Sequence, residues 1–287
     1  GVRLAQYFEG VLMTTKIHAF KVGQISCTVI QDGGGASPVA QFAGIFPYLT
    51  ADEIAQAMLD VGLDPNANEF SMNVLLIDTG SHRVLVDTGN GPASEGRLLE
   101  GLETAGIAPD EVDTVILTHG HPDHIGGIVD AEGELLYPNA RHVMWKSDWQ
   151  YWLGEANKSE EHFARRSLFP LRNRIDLIEL EAEITPGICA VFAPGPTPGH
   201  MALLLETDGE RLLHIADTVH IPVQITRTEW SPRYDFAPDK AADTRRRLIE
   251  RAAREKLLVM AYHLAFPGLG RVVEQNDRWL WQVAEGS

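Results

Sequence analysis

Three histidines and an aspartate fall within six consecutive residues, His119-Gly120-His121-Pro122-Asp123-His124. Imidazole nitrogens and carboxylate oxygens are the ligands that borderline and hard divalent cations take. Along an extended backbone, side chains two residues apart project the same way. His119 and His121 are therefore placed to grip one ion from one side. Pro122 suits the first position of a helix, where its missing N–H costs nothing. A helix beginning there turns Asp123 and His124 towards a second, adjacent position. The pattern H-x-H-x-D-H is thus read as one metal ion with another beside it. A solvated polar loop is the competing reading. It leaves unexplained both the crowding of imidazoles and the ligand types that recur at His200, Asp217 and His263.

Those residues need elements to hold them. Residues 112–117 are a short apolar run, and the histidine cluster begins at its end. Pro194-Gly195-Pro196-Thr197-Pro198-Gly199 is a rigid loop that delivers His200. Strands over 201–206 and 211–216 flank Asp208-Gly209, a strong two-residue hairpin signal, and Asp217 follows. Residues 257–261 read as a strand ending at Tyr262-His263. Each candidate ligand is expected just past the end of a strand, where α/β proteins keep their sites.

Upstream, 16–31 reads as a hairpin, Asp32-Gly33-Gly34-Gly35 as a loop, and 41–49 as an irregular aromatic segment. Thr50-Ala51-Asp52-Glu53 is a capping box opening a helix to about Leu59. A second hairpin is expected over 70–87. Helical spacing appears at 98–105, from Ser147 through Trp149, Tyr151 and Trp152, over 160–173 and over 239–256. Further strands are expected at 141–145, 175–180, 188–193, 271–273 and 279–283. Hairpins and βα units thus occur in both halves with no linker between them. The expectation is one α/β domain over 16–287: two mixed sheets facing each other with helices outside. Residues 1–15 read as an N-terminal extension, with Met13 as a start.

The 287 residues carry 24 Lys+Arg against 40 Asp+Glu, a formal net charge of −16. That balance opposes nucleic acid or an anionic membrane as partner, since both need a basic surface. No stretch approaches the roughly 18 apolar residues of a membrane span. No basic segment followed by an apolar one is visible at the N-terminus, so a cytoplasmic protein is expected. Cys27 and Cys189 lie in apolar strand-like runs and read as buried free thiols.

The combined pattern of H-x-H-x-D-H, Thr197-Pro198-Gly199-His200, Ala216-Asp217-Thr218 and Tyr262-His263 resembles the metallo-β-lactamase superfamily. The resemblance runs from Asp87-Thr88-Gly89 to His263. Within that superfamily the chain looks most like the branch holding methyl parathion hydrolase and the acyl-homoserine lactonases. The stretches that carry this are the aromatic segment before residue 50, Asp148-Trp149-Gln150-Tyr151-Trp152-Leu153, and Ala261-Tyr262-His263-Leu264-Ala265-Phe266-Pro267-Gly268. The resemblance implies an αββα sandwich with the metal site between the sheets. It implies that His119, His121 and His200 hold one ion, that Asp123, His124 and His263 hold the other, and that Asp217 bridges both. Asp87 would orient a ligand histidine. Zinc is the expected metal, and manganese, cobalt and iron serve other members.

The implied activity is hydrolysis by a hydroxide shared between two divalent ions, with Asp123 helping to orient its proton. The substrate would be a small lactone or other carboxylic ester, with organophosphate triester cleavage as a side activity. A phosphotriesterase is the alternative, and a mononuclear iron persulfide dioxygenase is the alternative of another class. No serine or cysteine stands in a nucleophile elbow. A homodimer is also expected from the branch. Two departures stand out. The loop after Gly89, Asn90-Gly91-Pro92-Ala93-Ser94, lacks the aromatic residue of methyl parathion hydrolase. His220 stands where the lactonases carry tyrosine and methyl parathion hydrolase an apolar residue. It is expected to reach the pocket as a hydrogen-bond donor or proton shuttle; a satisfied histidine on the pocket wall is the bland reading. His214, inside a strand, reads as structural. Phe46, Trp149, Trp152 and Phe163 are candidates for an apolar pocket wall, against ordinary core packing for each.

Overall fold

Each half of the chain is rich in β-branched and leucine runs, and each folds into one mixed sheet. The computed structural model describes residues 15–154, 159 and 162–284; the extension expected over 1–15 lies, except for Thr15, outside them. The first sheet holds β1 (Ile17–Val22), β2 (Ile25–Ala36), β3 (Glu69–Asp78), β4 (Arg83–Val86), β5 (Thr114–Leu117), β6 (Arg141–Trp145) and β7 (Ile175–Ile178), side by side in chain order. Its first four strands are antiparallel neighbours, and β4 to β7 run parallel. The second sheet holds β8 (Glu183–Thr185), β9 (Ile188–Phe192), β10 (Met201–Thr207), β11 (Glu210–His214), β12 (Leu258–Met260), β13 (Leu269–Gln275) and β14 (Arg278–Val283). Only its β11–β12 pair is parallel.

The strands are apolar on both faces because both faces are covered. On β3, Leu75 and Ile77 meet residues of the second sheet, such as Leu203 and Leu205. Val74 and Leu76, pointing the other way, pack with helices. Those helices are α1 (Val39–Ile45), α2 (Ala51–Leu59), α3 (Leu98–Thr104), α4 (Pro122–Ile125), α5 (Lys146–Trp152) and α6 (Phe163–Leu168). On the far side, α7 (Pro238–Arg254) buries Leu248, Ile249 and Ala252 against the second sheet. The layers are helix, sheet, sheet, helix, as expected. The Thr50 capping box is formed: Thr50 Oγ1 accepts from the Glu53 N–H at 3.2 Å, and the Thr50 N–H donates to Glu53 at 2.8 Å. Among the described residues no helix is long and apolar enough to cross a membrane.

Several elements differ from expectation. Asp32-Gly33-Gly34-Gly35 is not a loop but the end of β2, paired with β3 after an irregularity between Gln31 and Gly33. Gly34 has φ +115°, and a Cβ there would lie 2.2 Å from the Phe70 carbonyl oxygen. The glycines thus serve close backbone approach within a sheet, a use that looks like a loop in sequence. The aromatic segment is helical over residues 41–45, the end of α1. The helix expected over 160–173 is α6 alone, followed by a 3₁₀ turn at Phe169–Leu171 where Pro170 removes an N–H; residues 160 and 161 lie outside the described set. Cys27 is buried, which pushes its thiol up to about 12, whereas Cys189 is only half-buried.

His142 on β6 is enclosed with neither ring nitrogen hydrogen-bonded, and burial lowers its pKa to about 4. The unfolded chain therefore binds a proton near pH 6.5 that the folded chain refuses until about pH 4. Stability is full above pH 6.5 and is lost as pH falls through that window, by about 2 kcal/mol at pH 5. His142→Leu should remove this slope. Urea melts at pH 7.5 and pH 5 should show the variant gaining on the parent at the lower pH. Curves that fall in parallel would refute it.

Candidate metal centre

The strand ends gather the ligand candidates at one edge of the sandwich. The His119–His121 loop leaves β5, and α4 starts at Pro122 with His121 as its cap, as expected. Asp217 sits in a single turn after β11, and His263 follows β12. His200 differs: it stands immediately before β10 rather than after a strand. Because β9 and β10 are antiparallel, the loop between them returns the chain to the same edge. Backbone hydrogen bonds tie the two sheets there. Met201 N–H donates to the Thr118 carbonyl at 2.9 Å, and Asn73 N–H to the Tyr262 carbonyl at 2.9 Å.

Two clusters of donor atoms result. In one, His119 Nε2 lies 2.9 Å from His121 Nδ1 and 3.4 Å from Asp217 Oδ2. His200 joins this side, its ring 4.9 Å from that of His119 and its Nε2 3.1 Å from the Asp217 backbone nitrogen. In the other, His124 Nε2 lies 3.0 Å from Asp217 Oδ1 and 3.7 Å from Asp123 Oδ2. His263 Nε2 lies 3.2 Å from Asp217 Oδ1 and 3.5 Å from Asp123 Oδ2. His220 is turned towards the same place: its Nε2 is 3.5 Å from Asp217 Oδ2, and its ring stacks on His263 at 5.0 Å. All of these are buried except His121, which is half-buried.

The protonation pattern suits a cation. Asp87 accepts the Thr118 N–H, the Thr118 hydroxyl and His124 Nδ1–H, each at 2.8 Å. The Thr118 hydroxyl in turn accepts from His119 Nδ1–H at 3.1 Å. His263 Nδ1–H faces the Ser71 carbonyl at 3.1 Å. These partners hold the protons on the outer nitrogens, which leaves the inner ones as ligands. Asp123 Oδ2, His124 Nε2 and Asp217 Oδ1 are buried without a hydrogen-bond partner. Burying such atoms is costly unless something fills the space between them. Burial disfavours charge on His124, yet Asp217, Asp87 and Asp123 outweigh it and hold its pKa well above the usual range. Burial likewise opposes ionisation of Asp217, but His124, His263 and His119 hold it well below. The carboxylates thus demand positive charge at this spot. Burial outweighs the pull of Asp217 on two other histidines: it lowers His200 to about 3, with His124 and His121 adding to it, and His220 to about 4, with His263 and Arg245 adding to it. The donor set, the burial and the unpartnered atoms fit divalent ions at His119, His121 and Asp217 and at Asp123, His124 and His263; Asp217, His220 and His263 form a third such group, and His200 stands outside all three. Backbone strain sits here too: Asp87 has φ +67° and Ala216 φ +42°.

The aromatic candidates part company. Trp152 meets His121 edge-on at 5.7 Å, and Phe163 meets Trp152 at 5.3 Å. Tyr151 extends the row from Trp152 to the exposed Phe236, each step 5.0 Å between rings. Phe46 is wholly buried beside Trp230, and Trp149 packs on the core below the first sheet. His214 is buried in β11 with both nitrogens unpartnered. Three supporting residues escape a sequence reading. Tyr262 donates its hydroxyl to the Asp123 carbonyl at 2.6 Å, Asp148 binds two ligand loops, and Arg245 binds the Thr218 carbonyl at 2.5 Å. Each is distant in sequence from what it holds, and only Tyr262, beside His263, carries a local signal.

Known proteins agree with this architecture. The N-acyl homoserine lactonase of Bacillus thuringiensis is 26% identical over 215 residues, spanning 66% of this chain and 79% of that enzyme. The solved structure of AidC, a dizinc quorum-quenching lactonase in complex with a product, superposes with a TM-score of 0.85 at 23% identity, over 95% of this chain and 99% of that one. A crystal structure of the hydrolase AbOPH, of the beta-lactamase superfamily, gives 0.84 at 25% identity, over 96% and 99%. Residues 67–263 match the metallo-beta-lactamase superfamily, and the chain, with its paired sheets and gathered histidines, belongs to that superfamily.

Proposed function

We propose that this protein is a dinuclear-metal hydrolase that opens lactones of the acyl-homoserine class, with zinc as its working metal. One observation carries the reading. Asp217 presents Oδ2 to His119 and His121, at 3.4 and 3.8 Å, and Oδ1 to His124, at 3.0 Å, while His263 Nε2 is 3.2 Å from Oδ1 and 3.3 Å from Oδ2. A carboxylate offering one oxygen to each of two histidine clusters is built to join two ions. The lactonase relative and the dizinc lactonase neighbour support the substrate class.

On this reading His119, His121 and His200 hold one ion, and Asp123, His124 and His263 the other, with Asp217 between. Ions held there supply Lewis acidity, which gives a hydroxide nucleophile near neutral pH and polarises a carbonyl oxygen. Asp123, whose Oδ2 has no other partner, orients the proton of that nucleophile and passes it towards the leaving alkoxide. Asp87 keeps His124 in the ligand tautomer. His220, whose Nε2 faces the site 3.5 Å from Asp217 Oδ2, offers a donor to the substrate. Trp152 and Phe163 form the apolar wall that receives the acyl chain. The aromatic row also favours a second reading, triester cleavage with an aryl leaving group against Trp152.

Turnover of a long-chain acyl-homoserine lactone and of a methyl parathion-type triester on one metal-replete preparation decides between them. The blank is Asp123→Ala. The lactone should win by about 10²-fold or more. The reverse preference would make this a phosphotriesterase, and silence on both would remove the substrate class. Binding of a single iron would point to the dioxygenase alternative. His220→Phe in the same panel should lose lactone turnover; full activity on every substrate would end the role given to His220.

A further inference from the structure

Helix α5 carries no ligand, yet it touches both loops that carry the histidines of the first cluster. Asp148, in its first turn, is fully buried. Its Oδ1 accepts the Gly120 N–H at 3.1 Å. Its Oδ2 accepts the Gly199 N–H at 3.1 Å and the Thr197 hydroxyl. Gly120 lies between His119 and His121, and Gly199 directly precedes His200. The neighbouring Ser147 hydroxyl donates to the Pro198 carbonyl at 3.3 Å. The fit leaves no room: a Cβ on Gly120 would lie 2.2 Å from the Trp152 ring, and one on Gly199 would lie 2.5 Å from the Asp148 nitrogen. The second cluster has separate supports, namely Asp87 on His124, Ser71 on His263 and Tyr262 on the Asp123 carbonyl.

From this we infer that Asp148 is a positioning residue dedicated to the first metal position, a single carboxylate that fixes the spacing of His119 and His121 against His200. The inference rests on the dinuclear reading above. Two of the three donors that Asp148 accepts are backbone amides one residue from a histidine, and the third is the Thr197 hydroxyl. Loosening them lets the two loops move apart while leaving the second cluster on its own anchors. Asp148→Asn keeps the volume, but it sets an amide NH₂ against at least one of these three donors. A donor facing a donor is worse than a missing bond.

The test is metal binding, read without any substrate. Metal-free parent and Asp148→Asn are titrated with zinc against a chromophoric chelator, and cobalt spectra report which position fills. The parent should take two equivalents. In the variant, one class of site should weaken by about 10- to 100-fold while the other moves less than about threefold. Equal weakening of both classes would overturn the inference, as would two unchanged affinities. A parent that binds fewer than two ions would instead defeat the dinuclear reading, and the clamp would then be overturned if Asp148→Asn left the affinity of the remaining site unchanged. If Asp148→Asn does not fold, Thr197→Val removes one donor at constant shape. It should weaken the same class several-fold, and unchanged affinity there would overturn the clamp.

Discussion

Asp217→Ala should lower kcat on the preferred lactone by about 10³-fold and leave a chain that retains fewer than two equivalents of metal. Among the described residues the carboxylate is within reach of both clusters, with Oδ2 towards His119 and Oδ1 towards His124. On the dinuclear reading, removing it would take a ligand from each ion at once. It also removes the negative charge that offsets two imidazoles held above their usual pKa, His124 and His263. The clusters then face each other as uncompensated donors, and cations would sit further apart. Asp217→Asn keeps one good oxygen ligand, so it should retain one ion and fall between parent and alanine variant. Metal analysis after gel filtration, beside kcat at saturating zinc, checks both statements. Two retained equivalents with kcat within tenfold of the parent would sink the bridging role.

How much of this was written in the chain depends on whether the signal is local. His119 to His124 are legible because six adjacent residues state both the ligand types and the turn that separates them. Asp208-Gly209 is legible for the same reason: both residues adopt positive φ, at +51° and +78°, as a two-residue hairpin turn requires. The alternation of β3 towards helices and opposite sheet could be read as a fully buried strand, but its pairing with β2 through Gly33, Gly34 and Gly35 could not. Consecutive glycines signal freedom in sequence, and only the partner strand shows that the freedom is used for close approach. The same limit hides the residues that hold the site. An aspartate in a helix's first turn is ordinary, so Asp148 looks like a terminus stabiliser until Gly120 and Gly199 arrive from distant strands. Phe46 and Trp152 are both aromatic residues near recognisable motifs. Only packing separates the one enclosed beside Trp230 from the one set edge-on to His121.

Arg245 gives the other large effect, and it acts from the opposite side of the molecule's second sheet. It lies on α7 among arginines that face solvent, yet its side chain is completely buried. Nε donates to the Thr218 carbonyl at 2.5 Å, Nη1 to the Thr228 carbonyl at 2.6 Å, and Nη2 lies 3.5 Å from Asp235. Thr218 follows Asp217 directly, so the guanidinium pins both ends of the segment 218–228, which carries His220 and begins beside Asp217. Arg245→Met keeps most of the apolar stem. It strands two carbonyls and the Asp235 carboxyl, which burial already pushes up to about 6. Removing one partner of such a buried group costs about 3–5 kcal/mol, equivalent to a fall in Tm of about 10 °C for a domain of this size. Adding Asp235→Asn removes the orphaned acid, so the double variant should recover part of that loss. At a temperature where Arg245→Met is still folded, kcat should fall by about 10- to 100-fold, because the Asp217–His220 turn is no longer held from behind. Thermal melts and kcat on the two variants decide the matter. A single variant with parental Tm would show that the buried charge contributes nothing net, and a parental kcat would show that the turn holds its shape without Arg245.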